Sequence, residues 1–180
     1  MNLSDNNKKT VLRTIRISKE LDKLLEKDAK AHGSTVNALI SSIMKKYAEW
    51  DRYTKMFPHL VIPARFFRSL IDLTDEGALA TLAERSSVEL TNQVLLFWFK
   101  KVNLENSLKL LSIESEYAGI GEVEIETEGR DYAITVYHEY GKKYSTFFAH
   151  FTDIMMRTCL KIVPQFEITE NTVTYRFQAP

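Results

Sequence analysis

The chain has little of what cross-links or anchors a protein. Its 180 residues contain a single cysteine, Cys159, so no disulfide can form within the chain, which fits a reducing compartment such as the cytoplasm. Its longest apolar run, residues 94–99, is far too short to span a bilayer, and its polar first residues form no signal segment. We therefore expect a soluble, cytoplasmic protein with no membrane partner.

The few prolines and the distribution of charge divide the chain in two. Pro58 and Pro63 interrupt the helical patterning, which predicts domains at residues 1–57 and 58–180. Lysine and arginine outnumber aspartate and glutamate by twelve to seven in the first domain, whereas acidic residues lead by seventeen to twelve in the second. A net charge of zero thus hides a basic end, and that end is expected to meet the phosphates of nucleic acid.

The first domain begins with an alternating segment. Over residues 11–17 a period of two places Leu12, Thr14 and Arg16 on one face, which predicts a short strand. A lone strand cannot satisfy its backbone hydrogen bonds, and a unit this small buries too little apolar surface to be stable by itself. We therefore expect a homodimer.

Two helices with capping signals follow. Ser18 is a suitable N-cap for an amphipathic helix over residues 19–31, and Gly33 can adopt the left-handed conformation that closes it. Ser34 or Thr35 can cap a second, longer helix, whose apolar residues recur at intervals of three and four.

A family motif runs through these elements. Its residues, within roughly residues 10–53, are Arg16-Ile-Ser-Lys-Glu-Leu21, Ala29, Gly33, Thr35-Val-Asn37 and Ile40. In order and spacing they resemble the ribbon-helix-helix repressors of the Arc and MetJ type. The resemblance implies an intertwined β-α-α dimer, in which strands from two chains pair antiparallel and enter the major groove of double-stranded DNA.

The resemblance also implies roles for individual residues. Leu12, Thr14 and Arg16 would reach base edges. Leu12 departs from the polar residue usual at its position, so it is expected to make an apolar contact, such as one to a thymine methyl, or none. The backbone amides of Ser34, Thr35 and Val36 would hold a phosphate at the start of the second helix. Further phosphate contacts are expected from three basic residues, Lys8, Lys9 and Arg13.

The second domain is predicted to begin with helices. Thr74 can cap a short one, Ser86 has capping-box spacing with Glu89 and predicts a new helix through Lys101, and a third runs from Leu104 to about Ile113. The last sixty residues then read as strand, strand, helix, strand, strand. The predicted fold class is therefore α+β, with a helical segment followed by a β-β-α-β-β antiparallel-sheet domain.

This order of elements is similar to ligand-sensor domains of the vinyl-reductase and haem-nitric-oxide type. The resemblance implies a cavity for a small-molecule effector, and a filled core is the alternative. Candidate wall residues are aromatic or close to aromatic side chains: Phe97, Trp98, Tyr137, His138, Phe147 and Phe151.

Chemistry beyond binding finds little support in the sequence. His138, His150 and Cys159 are potential metal ligands, but the His-x-His pair of nickel-sensing relatives is absent, so we expect no metal and no cofactor. The glutamates between residues 114 and 128 fit a solvated sheet face, and no catalytic motif is present, so we expect no enzyme.

The sequence therefore predicts a sequence-specific DNA-binding transcription regulator. It would act as a homodimer or a dimer of dimers, with the second domain serving oligomerisation or effector sensing. The alternative is a protein-interaction or antitoxin-like scaffold that uses the first domain mainly for dimerisation.

Overall fold

The computed structural model describes residues 11–54, 56, 57 and 59–180. They fall into two compact units, an N-terminal unit that ends at Ala48 and a C-terminal unit from Glu49 to Pro180. Tyr53 and Phe57, which precede the predicted domain boundary, belong to the C-terminal unit.

Two capped helices make up the N-terminal unit. Helix α1 is Lys19–Ala31 and helix α2 is Val36–Lys46. The side chains of Ser18 and Thr35 accept hydrogen bonds from backbone amides three residues further on, at 3.2 and 3.1 Å. Each cap satisfies one of the amides that a helix leaves without an internal partner, and both predicted caps are confirmed.

A glycine turn joins the two helices. Gly33 has φ +61°, and its amide donates to the carbonyl of Lys30 at 3.2 Å. The amide of Ser34 reaches back to the carbonyl of Ala29 at 2.8 Å, which completes a Schellman motif. The predicted left-handed glycine is therefore confirmed.

The predicted strand over residues 11–17 is wrong. These residues have no regular secondary structure, and the first element of the chain is helix α1 rather than a β-ribbon, so the β-α-α beginning of the predicted fold class is corrected to α-α. An alternating sequence indicates which side chains would share one face of a strand. The strand itself forms only where a neighbouring segment of backbone donates and accepts its hydrogen bonds. The described part of the N-terminal unit otherwise consists of helices and their connection, and it offers no such neighbour.

Helices form the first half of the C-terminal unit. They differ from the prediction most clearly in helix α5, Glu76–Phe99, which is one helix where the sequence predicted two. Asp75, rather than Thr74, caps it by accepting from the amide of Ala78 at 2.8 Å, and the hydroxyl of Ser86 donates back to the carbonyl of Leu82 within the helix. The elements are a π-helical turn Tyr47–Asp51, α3 Arg52–Thr54, α4 Ala64–Leu73, α5 Glu76–Phe99 and α6 Leu104–Tyr117.

A four-stranded antiparallel sheet follows, and it confirms the β-β-α-β-β order. The elements are β1 Glu122–Glu128, β2 Asp131–Tyr137, α7 Lys142–Met155, a π-helical turn Met156–Leu160, β3 Gln165–Ile168 and β4 Thr172–Gln178. The strands lie in the order β1-β2-β4-β3. The two strands of each hairpin therefore pair with each other, and the central strands β2 and β4 pair to join the hairpins.

The core lies between one face of this sheet and the helices. Ile134 and Val136 of β2 are fully buried, as is Val173 of β4, which pairs with Val136. Helix α7 covers this face and packs along α5. Small side chains are buried on both helices, namely Ala83 and Ser87 on α5 and Ala149 and Thr152 on α7, and they allow the two backbones to approach closely.

The other face of the sheet is polar. Four glutamates of β1 are exposed, and β1 is an edge strand of the sheet. The period of two that predicted a solvated acidic face is confirmed here for Glu122, Glu124, Glu126 and Glu128.

Gly121 is expected to be the least replaceable glycine of the C-terminal unit. It has φ +134°, and an added Cβ would lie 2.2 Å from the backbone oxygen of Tyr137. Gly121→Ala should lower the free energy of unfolding by about 3 kcal/mol or more, measured by urea denaturation.

The matched control is Gly129→Ala, at φ +62° with no atom within 4 Å of the added Cβ. It introduces only backbone strain and should cost about 1 to 2 kcal/mol. Equal losses in the two variants would contradict a steric role for Gly121.

Candidate functional site

The predicted base-contacting residues lie on an exposed segment ahead of α1. Leu12 is 91% exposed, and Thr14 and Arg16 are exposed as well. Neither Arg13 nor Arg16 forms an ion pair with another described residue, so both guanidinium groups are available to an anionic partner. Lys8 and Lys9 lie outside the described residues.

The start of α2 presents backbone amides next to an exposed turn. Ser34 and Thr35 are exposed, and Val36 is half-buried. The hydroxyl of Thr35 accepts from the amide of Ala38. The remaining amides of the first turn have no hydrogen-bond partner within the helix. They lie at the positive end of the helix dipole, where an anion is stabilised.

Most apolar side chains of the N-terminal unit are not buried. Ala29 of α1 is 3% exposed, whereas helix α2 has no buried residue. The exposed fractions of the larger side chains are 51% for Ile15, 43% for Leu21, 54% for Leu24, 52% for Ile43 and 53% for Met44. A set of apolar side chains left in water on so small a unit is typical of a surface that a partner covers.

The C-terminal unit contains an apolar cavity of about 120 Å³ that is partly open to the surface. It lies where α5, α6 and α7 meet over the sheet, and its wall includes Leu95 of α5 and Ile134 of β2, both fully buried. The other residues that line it are Leu90, Thr91, Val94, Leu104, Ser107, Leu108, Leu110, Leu111, Glu114, Phe148, Phe151, Thr152, Met155, Met156, Leu160, Tyr175 and Phe177.

Glu114 of α6 is the charged residue in this lining. Burial of its carboxyl raises the pKa of Glu114 to about 7, and the carboxyl forms no hydrogen bond or ion pair with another described side chain. From the sequence, Glu114 was expected among solvated glutamates, because the helix was expected to end near Ile113. The signal that this expectation missed is helical spacing, since Ser107, Leu111 and Glu114 share one face of α6 and all three line the cavity.

Of the six predicted wall residues, Phe151 lines this cavity. Phe97 and Trp98 instead belong to an aromatic cluster with the segment that follows α2. The indole of Trp98 donates to the carbonyl of Glu49 at 3.4 Å, and the ring centroid of Phe97 lies 4.8 Å from that of Phe57. The further rings of this cluster are Trp50, Tyr53 and Tyr117.

His138 lies in a separate buried hydrogen-bond network. Its Nδ1 accepts from the amide of Tyr140 at 3.2 Å, so Nε2 carries the proton and donates to the hydroxyl of Ser145 at 2.9 Å. Burial lowers the pKa of His138, against the opposing charge of Glu170. In this arrangement the ring does not act as a base towards Ser145, whose hydroxyl donates to the carbonyl of Glu170 at 3.2 Å, and the network ties the two hairpins to α7.

The remaining candidate residues lie apart. Tyr137 is on the polar face of the sheet, where its hydroxyl donates to Glu124 at 3.2 Å. Phe147 and His150 border a small surface pocket on α7, and Nε2 of His150 lies 3.8 Å from the carboxylate of Glu84.

Burial raises the pKa of Cys159 and so disfavours its thiolate. Within the described ranges, no three histidine, cysteine or acidic side chains converge as metal ligands would.

No protein-family model matches the chain, and no curated protein is significantly similar to it. Among the helices of residues 11–180 that are described, none is both long and apolar enough to cross a bilayer.

Glu114 should make stability depend on pH. The pKa of Glu114 is about 7 in the folded protein, compared with 4.5 for an exposed glutamate. Folding therefore favours the protonated form. Stability is therefore retained below pH 4.5 and lost as the pH rises from 4.5 to about 7, above which the loss is constant. Glu114→Gln should be more stable than the wild type at pH 8, by about 2 to 3 kcal/mol, and equal to it near pH 4.

Urea denaturation across this pH range provides the measurement. Glu122→Gln is the matched control, because it removes a carboxylate that is exposed on the sheet. A constant difference in stability between Glu114→Gln and the wild type at every pH would contradict the assignment.

Proposed function

We propose that the chain is a DNA-binding transcription regulator that acts as a homodimer in the cytoplasm. The observation that carries the proposal is the N-terminal unit itself, in which a net positive charge and an uncovered apolar surface occur together in a small two-helix unit. In this proposal the N-terminal unit dimerises and binds DNA, and the C-terminal unit serves further assembly or effector sensing. Neither unit is a catalyst.

A second copy of the chain is the partner that fits the apolar surface best. Leu21, Leu24, Ile43 and Met44 are each between 43% and 54% exposed, and a pair of helices with so little buried cannot be stable alone. In a homodimer, each chain covers the apolar surface of the other with its own copy of that surface, as in other isologous interfaces. Folding and dimerisation of this unit are then linked.

The charge of the N-terminal unit supports nucleic acid as the ligand of the dimer. Up to Ala48 the sequence has ten lysines and arginines against five acidic residues, and beyond it the balance is fourteen against nineteen. Dimerisation doubles the basic surface, and neutralising phosphates releases counterions, which drives binding. We propose that exposed side chains ahead of α1, mainly Thr14 and Arg16, contact base edges. The backbone amides at the start of α2 would contact a phosphate.

A protein-interaction scaffold is the second candidate. It is favoured by a further exposed apolar surface in the C-terminal unit, at the segment before α4 and on α4 itself, where Leu73 is 85% exposed and Phe66 57%. A scaffold would bind a partner protein through this surface and would have no sequence preference on DNA.

Base recognition can be tested with Arg16→Ala. The wild type is used to select a duplex from random-sequence DNA, and fluorescence anisotropy then compares this duplex with a scrambled one over a series of salt concentrations. We expect binding that weakens with salt and a preference that falls by about 1 to 3 kcal/mol in Arg16→Ala.

Arg85→Ala is the control, because it removes the same charge from an exposed position on α5. It should leave the preference unchanged. Absence of DNA binding by the wild type at low salt would reject the proposal in favour of the scaffold.

Dimerisation can be tested by making the apolar surface polar. The double variant Leu24→Gln and Ile43→Gln should convert the dimer into a monomer in sedimentation equilibrium, because about 1 kcal/mol or more of apolar burial is lost at each site in each subunit. DNA affinity should fall with it, since two recognition units no longer act together. Val163→Gln, at a residue 64% exposed in the C-terminal unit, is the control and should remain dimeric. A double variant that stays dimeric would place the interface elsewhere.

A further inference from the structure

The cavity of the C-terminal unit has a size and a lining that suit a small ligand. Its volume is about 120 Å³, and an apolar cavity of roughly 150 Å³ takes up benzene. Its walls come from α5, α6, α7 and the central strands, and leucine, phenylalanine and methionine predominate among them. Filling such a space with an apolar group restores the dispersion contacts that its lining lacks.

Two polar groups on one face of α6, Ser107 and Glu114, can accept hydrogen bonds at the cavity wall. The hydroxyl of Ser107 donates to the carbonyl of Asn103 at 2.9 Å, so its oxygen remains free to accept a hydrogen bond. The carboxylate of Glu114, on the same face of α6, also accepts when it is ionised. A ligand that matches both must bring donors, and a cation is favoured because it pairs with a carboxylate that has no partner among the described residues.

We propose that this cavity binds a small primary amine with an apolar tail of about benzene size, its ammonium group paired with Glu114 and its tail among the leucines and phenylalanines of the wall. The inference deepens the sensing role that the proposed function gives to the C-terminal unit, but ligand binding here requires no DNA. An anionic ligand of the same shape would be repelled by Glu114, and a neutral one would leave its charge uncompensated.

Binding should depend on pH through Glu114. Tyr175 of β4 is the other titratable side chain among the lining residues, and Tyr144 of α7 is close enough for Glu114 to raise its pKa. Burial holds the pKa of both tyrosines well above neutrality, so neither changes charge between pH 6 and 8. Over this range Glu114 ionises, whereas an alkylammonium stays charged.

Isothermal titration calorimetry on the full-length protein provides the test, with benzylamine as the probe and benzyl alcohol and benzoate as neutral and anionic analogues. At pH 8 benzylamine should bind about tenfold more tightly than benzyl alcohol, and benzoate should bind least. At pH 6 the affinity for benzylamine should fall about tenfold, whereas that for benzyl alcohol should not fall.

Two variants separate charge from shape. Glu114→Gln keeps the volume of the side chain, and it should abolish both the preference for the amine and its pH dependence while benzyl alcohol still binds. Leu90→Trp enlarges a side chain that lines the cavity and is 47% exposed, so the fold should accept it while both ligands are excluded.

The proposal is overturned if benzylamine binds no better than benzyl alcohol at pH 8, or if Glu114→Gln retains the preference. Because these titrations contain no DNA, failure of DNA binding would leave this result intact. Conversely, a protein that binds DNA but not benzylamine would refute only the ligand class.

Discussion

The C-terminal unit depends on one requirement, that the apolar face of its antiparallel sheet be kept from water. Helix α7 is connected to both hairpins and covers this face, and α5 in turn covers α7. Close contact between these helices requires small side chains such as Ala83 and Ala149. Where α6 joins them the side chains no longer interdigitate fully, and the cavity that contains Glu114 is the space that remains.

The N-terminal unit also has apolar side chains that are unfavourable in water, but it buries few of them itself. Its two helices are well defined by local interactions, the caps at Ser18 and Thr35 and the turn at Gly33. Local interactions determine where helices begin and end, but they bury little apolar surface. The unit therefore has defined elements and little core of its own, and in the proposed homodimer a second copy supplies the missing contacts.

This contrast explains which features could be predicted from the sequence. The caps and the glycine turn were predictable because each depends on residues three or four positions apart. The absence of a strand over residues 11–17 was not predictable in this way, because strand pairing depends on a neighbour that a local sequence pattern does not specify. Ser86 matched a capping pattern, yet its hydroxyl bonds inside α5. The place of Glu114 at the cavity was missed for a different reason: Glu114 continues the helical spacing of Ser107 and Leu111, but a carboxylate is not expected on the inward face of a helix.

The acidic edge strand also restricts how copies of the chain associate. If β1 of one chain paired antiparallel with β1 of another, their glutamates would face one another across the new junction, and like charges opposite each other destabilise a sheet. Growth of the sheet from chain to chain, the route to fibres, is therefore unfavourable at this edge. Self-association through helical surfaces, by contrast, can close into a particle of defined size.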